Sequence, residues 1–116
     1  STWNQIKFEG YALLSYKKTL TDRLVASSFP LNIGGYVVPS VNTSIFQSDV
    51  ASELVRPNSF SAAYYFDGEQ YRFSLRSSDD GIDVSDIAKI YGGGGHRNAS
   101  GFRVRSLIDL EDFKVE

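Results

Sequence analysis

FSAAYYFDGEQYRFSLRS, Phe60 to Ser77, is the stretch that decides the fold. Side chains alternate in character on both sides of Asp67-Gly68, the pattern of two antiparallel strands joined by a tight turn. An Asp-Gly pair tolerates positive φ at both positions, so a two-residue type I′ turn is expected. That turn places Tyr64 opposite Tyr71, Ala62 opposite Phe73 and Phe60 opposite Leu75. Residues paired across two strands share a face, so these side chains define the core side. The other face brings Ser61 near Ser74 and Ser59 near Arg76. Arg76 therefore stands on a polar face, near the strand end away from the turn.

Outward from the hairpin, Asp83 has the position of an N-cap. Val84, Ile87, Ala88 and Tyr91 follow at i, i+3, i+4 and i+7, one stripe of a short helix, and Gly92 suits its C′ position. Phe102 to Val104 reads as a further strand. Upstream, Leu13, Tyr16, Leu20 and Leu24 predict an amphipathic helix over Tyr11 to Ala26. Pro30 and Gly34-Gly35 mark a connection. Tyr36 to Val41 predicts a strand whose Pro39 places it at an edge or a strand end. Ser48 is expected to cap a short helix running to Val55, with Val50 and Leu54 one turn apart. The expected class is α/β: a small mixed β-sheet containing a β-hairpin, flanked by short helices, with an N-terminal connector helix.

Composition narrows the functions. The chain has 116 residues, enough for one domain with a modest core. Its formal net charge is -2, so a broadly basic nucleic-acid clamp is excluded and any anion must be held by a local site. Residues Asp109 to Glu116 carry four acids and one lysine, so the remainder is close to +1, still not basic. There are no cysteines, which excludes disulfides and thiolate metal sites. No apolar run reaches membrane-spanning length and no signal-peptide pattern opens the chain, so a cytoplasmic protein fits best. Asn42-Thr43-Ser44 and Asn98-Ala99-Ser100 match the glycosylation sequon by coincidence on that view. A chain without methionine is expected to be a domain excised from a larger protein.

The second informative stretch is Gly92 to Gly95, four glycines ahead of His96, the one histidine. One glycine explains the helix stop; four do not. Each costs about 0.5–1 kcal/mol relative to alanine in a regular element, so a run is justified where φ is positive or a ligand meets the backbone. Successive bare N–H groups can form a nest for phosphate. An imidazole, which ordinarily titrates at ~6.5, can donate one or two hydrogen bonds to phosphate oxygens. Arg97 can add a charge, and Asn98 can read a base or sugar edge. A Walker loop needs Gly-Lys-Ser/Thr, whereas Gly95 is followed by His96-Arg97; a Rossmann turn fails at Asn98, and both expect a preceding strand. A Ser/His/Asp site lacks its G-x-S-x-G elbow. Asp79-Asp80-Gly81-Ile82-Asp83 lacks the calcium-loop pattern. Tyr91 and Phe102 can stack on a base but read as core packing, and Trp3 lies too near the terminus to place.

YGGGGHRNASGF, Tyr91 to Phe102, closely resembles the glycine-histidine signature of the DHH-associated domain, type one, the C-terminal module of DHH-family phosphoesterases. The longer stretch from Phe73 to Phe102 fits it too, and GGYVVPSVNTSIFQSDVASEL, Gly34 to Leu54, resembles its front half. The resemblance covers Gly34 to Val104, and the Tyr11 helix resembles the inter-domain connector. It divides the chain into an N-terminal segment with connector helix, 1–30, and an associated domain, 31–116.

The resemblance implies a two-domain hydrolase. An N-terminal DHH domain would bind a pair of divalent metals, usually manganese, and cleave the phosphoester. The associated domain would bind and orient substrate. Relatives act on short oligoribonucleotides, cyclic dinucleotides, 3′-phosphoadenosine phosphate or single-stranded DNA, and some are labelled exopolyphosphatase-related. By this similarity Arg76 contacts substrate, Gly92, Gly93, Gly94, Gly95 and His96 form the phosphate or nucleotide loop, and Asn98, Ala99 and Gly101 complete the motif. Ser77 and Arg97 are further candidate phosphate contacts, whereas Arg72, on the same face as Arg76, is given a solvated role. The sequence departs from a full member in lacking the DHH domain. This chain is thus expected to hold no catalytic residue, metal or other cofactor of its own. Its expected partners are a nucleotide, short oligonucleotide or single-stranded nucleic acid, and the DHH domain of the same polypeptide. The alternative is a stand-alone single-stranded nucleic-acid-binding module without coupled hydrolysis.

Overall fold

The computed structural model describes residues 2–111, with side chains from residue 13 onward. The side chain of Trp3 and most of the acidic C-terminal end lie outside that description. The chain is mixed α/β, as expected. Helix α1 (Thr2–Ala26) leads into β1 (Phe29–Ile33), β2 (Tyr36–Asn42), α2 (Gln47–Leu54), β3 (Phe60–Phe66), β4 (Tyr71–Ser77), α3 (Val84–Ile90), β5 (Gly94–His96) and β6 (Ala99–Val104). A 3₁₀ turn, Leu107–Leu110, follows. The strands form one sheet in the order β1-β2-β3-β4-β6-β5. β2 and β3 run parallel across the α2 crossover; every other neighbouring pair is antiparallel.

The central hairpin forms with the expected core face but a shifted register. Tyr64 pairs with Phe73, Ala62 with Leu75 and Phe66 with Tyr71, which leaves residues 67–70 as the loop. The Asp67 carboxylate explains the longer loop. Its Oδ1 accepts from the Glu69 and Gln70 N–H groups at 2.9 and 2.8 Å, while the Asp67 N–H donates to the Gln70 carbonyl. A side chain that caps two amides outcompetes the two-residue turn. The slip is an even number of residues, so each side chain keeps its face.

Phe60, Ala62, Tyr64, Phe73 and Leu75 thus pack with Ile33, Val38, Phe102 and Val104 under Val84, Ile87 and Ala88 of α3. Four rings step across this layer. Tyr64 stacks on Phe73 at 4.9 Å, Phe73 on Phe102 at 4.8 Å, and Phe102 on Tyr91 at 4.4 Å. Phe60 is fully buried, and truncating a ring in such a position costs about 3–5 kcal/mol. Tyr91 is also bridged by its hydroxyl, which accepts from the Gly34 N–H at 2.7 Å and donates to the Leu110 carbonyl at 2.6 Å. Phe102 is a core residue of β6, and Tyr91 packs half-buried against the core from the end of α3.

The opposite side of the sheet carries α2. Val50 and Leu54 pack on Val41, with Leu24 and Val25 of α1 closing that smaller cluster. Ser61 is buried there and its hydroxyl donates to the Ala51 carbonyl. The face expected to be polar is therefore covered over β2 and β3.

Local departures from expectation have physical causes. Pro30 and Pro39 stand opposite each other in the β1–β2 pair, so the connection around Pro30 is an edge strand and β2 is an inner one. Two facing prolines fit only a non-hydrogen-bonded pair, where neither N–H is required by the other strand. Ser48 is not the cap of α2; the residue preceding the helix is Phe46, in a left-handed conformation, and no side chain caps it. Asp83 caps α3 as expected, accepting from the Ser85 N–H at 3.0 Å. Leu13 and Tyr16 of the predicted α1 stripe are exposed; among the described side chains Leu24 and Val25, in the last turns of α1, dock on the body, and a 3.1 Å Lys17–Asp49 ion pair joins α1 to α2.

Candidate functional site

The sheet register brings Arg76 and His96 together. Arg76 of β4 pairs with Ala99 of β6, and Ala99 pairs with His96 of β5. Ser61 of β3 continues this row on the other side of Arg76. Directly paired residues project to one side of a sheet, so all four share the α2 side. Two strand spacings, about 10 Å, separate the backbones of Arg76 and His96. The next row on this side is Ala63, Ser74, Gly101 and Gly94, and the one after is Tyr65, Arg72 and Arg103.

Beyond α2 this face is open. A cleft of about 660 Å³ lies over it, lined by Gln47, Tyr65, Arg72, Ser74, Gly101 and Arg103 among others. That is a volume suited to a small ligand. Arg76 and His96 stand one row away from the cleft floor rather than in its lining.

Each cation is held differently. The Arg76 guanidinium donates to the Leu75 carbonyl at 2.8 Å and to the Ser48 hydroxyl at 2.7 Å, so α2 aims it. The exposed His96 imidazole has no hydrogen-bond or ionic partner among the described residues. Arg72 is locked to Asp67 at 2.6 Å. The Gln70 and Glu69 amides and the Arg72 guanidinium hold the Asp67 carboxyl well below the usual carboxylate range, the Gln70 bond contributing most. Arg103, directly opposite Arg72, has no partner among the described residues.

The glycines divide by role. Gly92 takes a positive φ of 82° and donates to the Lys89 carbonyl at 3.1 Å, while the Gly93 N–H donates to the Ala88 carbonyl at 2.9 Å. These two bonds form a Schellman motif that ends α3. Both N–H groups are committed to the helix end, so the expected nest of bare donors is not built from them. Gly93 is glycine because a Cβ there would lie 2.1 Å from the Gly101 carbonyl oxygen. A Cβ on Gly94 would meet nothing within 4 Å. Gly94 and Gly95 open β5, an unforeseen edge strand.

Three further expected contacts are occupied within the protein. Arg97 and Asn98 form the turn between β5 and β6. The Asn98 amide donates to Asp79 at 2.6 Å and accepts from the Ser77 hydroxyl at 3.2 Å. The Arg97 guanidinium donates to the Gly81 carbonyl at 3.1 Å. Ser77, Arg97 and Asn98 thus bolt the turn to the end of β4 and the loop before α3. Ala99 lies between the two cations of the row, and Gly101 lies in the cleft floor.

Sequence reasoning does not single out Tyr65, Ser74 or Arg103 as site residues. The hairpin signal already puts Tyr65 and Arg72 on the face of Arg76, but Arg103 joins them only through β4–β6 pairing. Among the described residues no three His, Asp or Glu side chains converge as metal ligands. The arrangement sets a guanidinium and an imidazole in one row beside a cleft with a small-residue floor.

Residues 37–116 match the DHHA1 domain family. The chain belongs to that family. DHHA1 domains are typically the C-terminal part of DHH phosphoesterases. This DHHA1 chain is 33% identical over 108 residues to uncharacterized protein R106 of Acanthamoeba polyphaga mimivirus, a match covering 79% of the chain and 24% of that protein. It is 49% identical over 49 residues to oligoribonuclease NrnB of Bacillus subtilis (strain 168), covering 39% of the chain and 12% of that protein. The crystal structure of an uncharacterized protein from Helicobacter pylori G27 superposes with a TM-score of 0.51 at 21% identity, covering 82% of the chain and 30% of that one, which shows a shared fold. The chain spans less than a third of each of these proteins. Among the described residues no helix is long and apolar enough to cross a membrane.

Proposed function

We propose that this DHHA1 domain binds the phosphate of a nucleotide or short oligonucleotide and presents it to a DHH catalytic domain of the same polypeptide, which hydrolyses the phosphoester in the cytoplasm. The divalent metal, manganese by resemblance, belongs to that catalytic domain. The single observation that carries the proposal is the row Arg76, Ala99, His96 on the open side of the sheet, beside the cleft. Arg76 offers a planar fork fixed by Ser48, and His96 offers ring N–H donors two strands away. A phosphate between them gains charge-assisted hydrogen bonds while Ala99 keeps the space clear. The domain contributes to catalysis by position, holding the ester where the metal-activated nucleophile reaches it.

Titration of the chain with a mononucleotide, a dinucleotide, a longer single strand and polyphosphate, followed by amide chemical shifts, tests this. Shifts centred on Arg76, Ala99 and His96 that saturate within a few nucleotides support the proposal. Affinity that climbs with strand length and falls steeply with salt identifies a stand-alone single-strand binder instead. Phosphoester turnover by this chain alone with manganese overturns the division of labour.

A further inference from the structure

We propose that Arg103, Arg72 and Tyr65 form a second subsite, which takes a further phosphate and base of a short single-stranded oligonucleotide whose first phosphate sits between Arg76 and His96. The inference rests on that first placement and adds to it a second set of contact residues.

The geometry of the face supplies the grounds. Arg72 and Arg76 lie on the same side of β4, as do Arg103 and Ala99 on β6. Four strand residues separate the two rows, about 13 Å at the usual rise. A nucleoside monophosphate has one phosphate and can occupy one row; a short strand carries further phosphates along its backbone and can reach the other. The strip between the rows is floored by Ser74 and Gly101, small residues over which a sugar-phosphate chain can lie, and it is part of the cleft. The cleft thus begins beside the first pair of cations and contains the second.

Electrostatics distinguish this end from an ordinary surface. Arg72 and Arg103 are direct cross-strand partners, and like charges so placed destabilise a sheet. Asp67 neutralises Arg72, but no acid among the described residues answers Arg103. An anion bound here supplies the counter-charge that Arg103 lacks. Tyr65 completes the row beside Arg72, half-buried, with its side chain at the cleft. A ring in that place gives a base a stacking surface next to the phosphate contact, the combination used for single strands.

The test compares adenosine 5′-monophosphate with a 5′-phosphorylated triadenylate on the full chain and on single variants, with the amide spectrum confirming the fold of each. Arg103→Gln is expected to weaken the triadenylate about tenfold and leave the monophosphate unchanged. Tyr65→Leu is expected to weaken the triadenylate, and Tyr65→Phe to retain it, since the ring is kept. Arg76→Ala is expected to weaken both probes. If Arg76→Ala weakens both while Arg103→Gln weakens neither, the second subsite is overturned and the first stands. The second subsite also falls if Arg103→Gln weakens both probes equally, because the residue then acts as a general field. If Arg76→Ala alters neither, or the unmodified chain binds neither probe at millimolar concentration, the first placement falls and takes the second with it.

Discussion

Arg76 and His96 flank Ala99 in one cross-strand row, on the same side of the sheet. The two donors come from strands that are not neighbours, so their spacing is set by β6 between them rather than by a loop. Strand pairing fixes the spacing of such a row, and substitutions along it test the proposed ligand contact.

Arg76→Ala is expected to lower affinity for a mononucleotide more than tenfold, the loss of a charge-assisted contact of roughly 1.5–3 kcal/mol. Arg76→Lys keeps the charge but not the planar fork and is expected to recover only part of it. Ser48→Ala, which frees the guanidinium from α2, is expected to cost less than either. Isothermal titration of the three variants gives the order.

Gly93 and Gly94 are adjacent, yet alanine is expected to act on different properties. Gly93→Ala drives a methyl into the Gly101 carbonyl and Phe102, so it lowers the melting temperature or prevents folding. Gly94→Ala meets nothing within 4 Å and leaves the fold intact. Its methyl would project from β5 on the side of Arg76 and His96, so weaker nucleotide binding at unchanged melting temperature is expected. Thermal denaturation and titration on the same samples separate the two effects.

Asn98→Ala removes the bonds to Asp79 and Ser77 that anchor the β5–β6 turn. Urea denaturation is expected to show a loss of about 1 kcal/mol, with binding by the folded fraction retained. A binding defect at full stability would move Asn98 from turn anchor to ligand contact.

Tyr91→Phe leaves the Gly34 N–H and the Leu110 carbonyl without the hydroxyl that joins them. A loss of about 1–3 kcal/mol is expected by chemical denaturation, with the stacked ring layer still in place.

Acid is expected to loosen the hairpin through Asp67. Its carboxyl is held below the usual range in the folded state, so its contribution is present above the unfolded pKa of ~3.9 and disappears as pH falls toward the folded value. Asp67→Asn should flatten the fall in stability below about pH 4. A series of melting temperatures against pH for both proteins checks it.

The sequence is informative where its signals are local. The alternation from Phe60 to Ser77 assigns the core face correctly, and Asp83 with the Val84 stripe locates α3. The register differs from expectation because Asp67 binds two amides of its own loop, a side-chain effect that the Asp-Gly pair does not reveal. The site is partly visible: Arg76 and His96 stand out, but their alignment depends on β4–β6–β5 pairing between distant segments. For the same reason Ser48 looks like a cap in the sequence, when its partner is the Arg76 guanidinium on β4. Arg97 and Asn98 draw notice as polar residues beside a glycine run, and only the fold shows that their side chains are engaged with Asp79 and Gly81.

The Schellman closure of α3 bears on how quickly a ligand is captured. With Gly92 and Gly93 tied to the helix end and Gly94 and Gly95 paired to β6, the glycine run is ordered before any encounter. A phosphate entering between Arg76 and His96 therefore meets a sheet edge that is already formed, so stopped-flow traces should show one concentration-dependent phase, with no slower unimolecular step behind it.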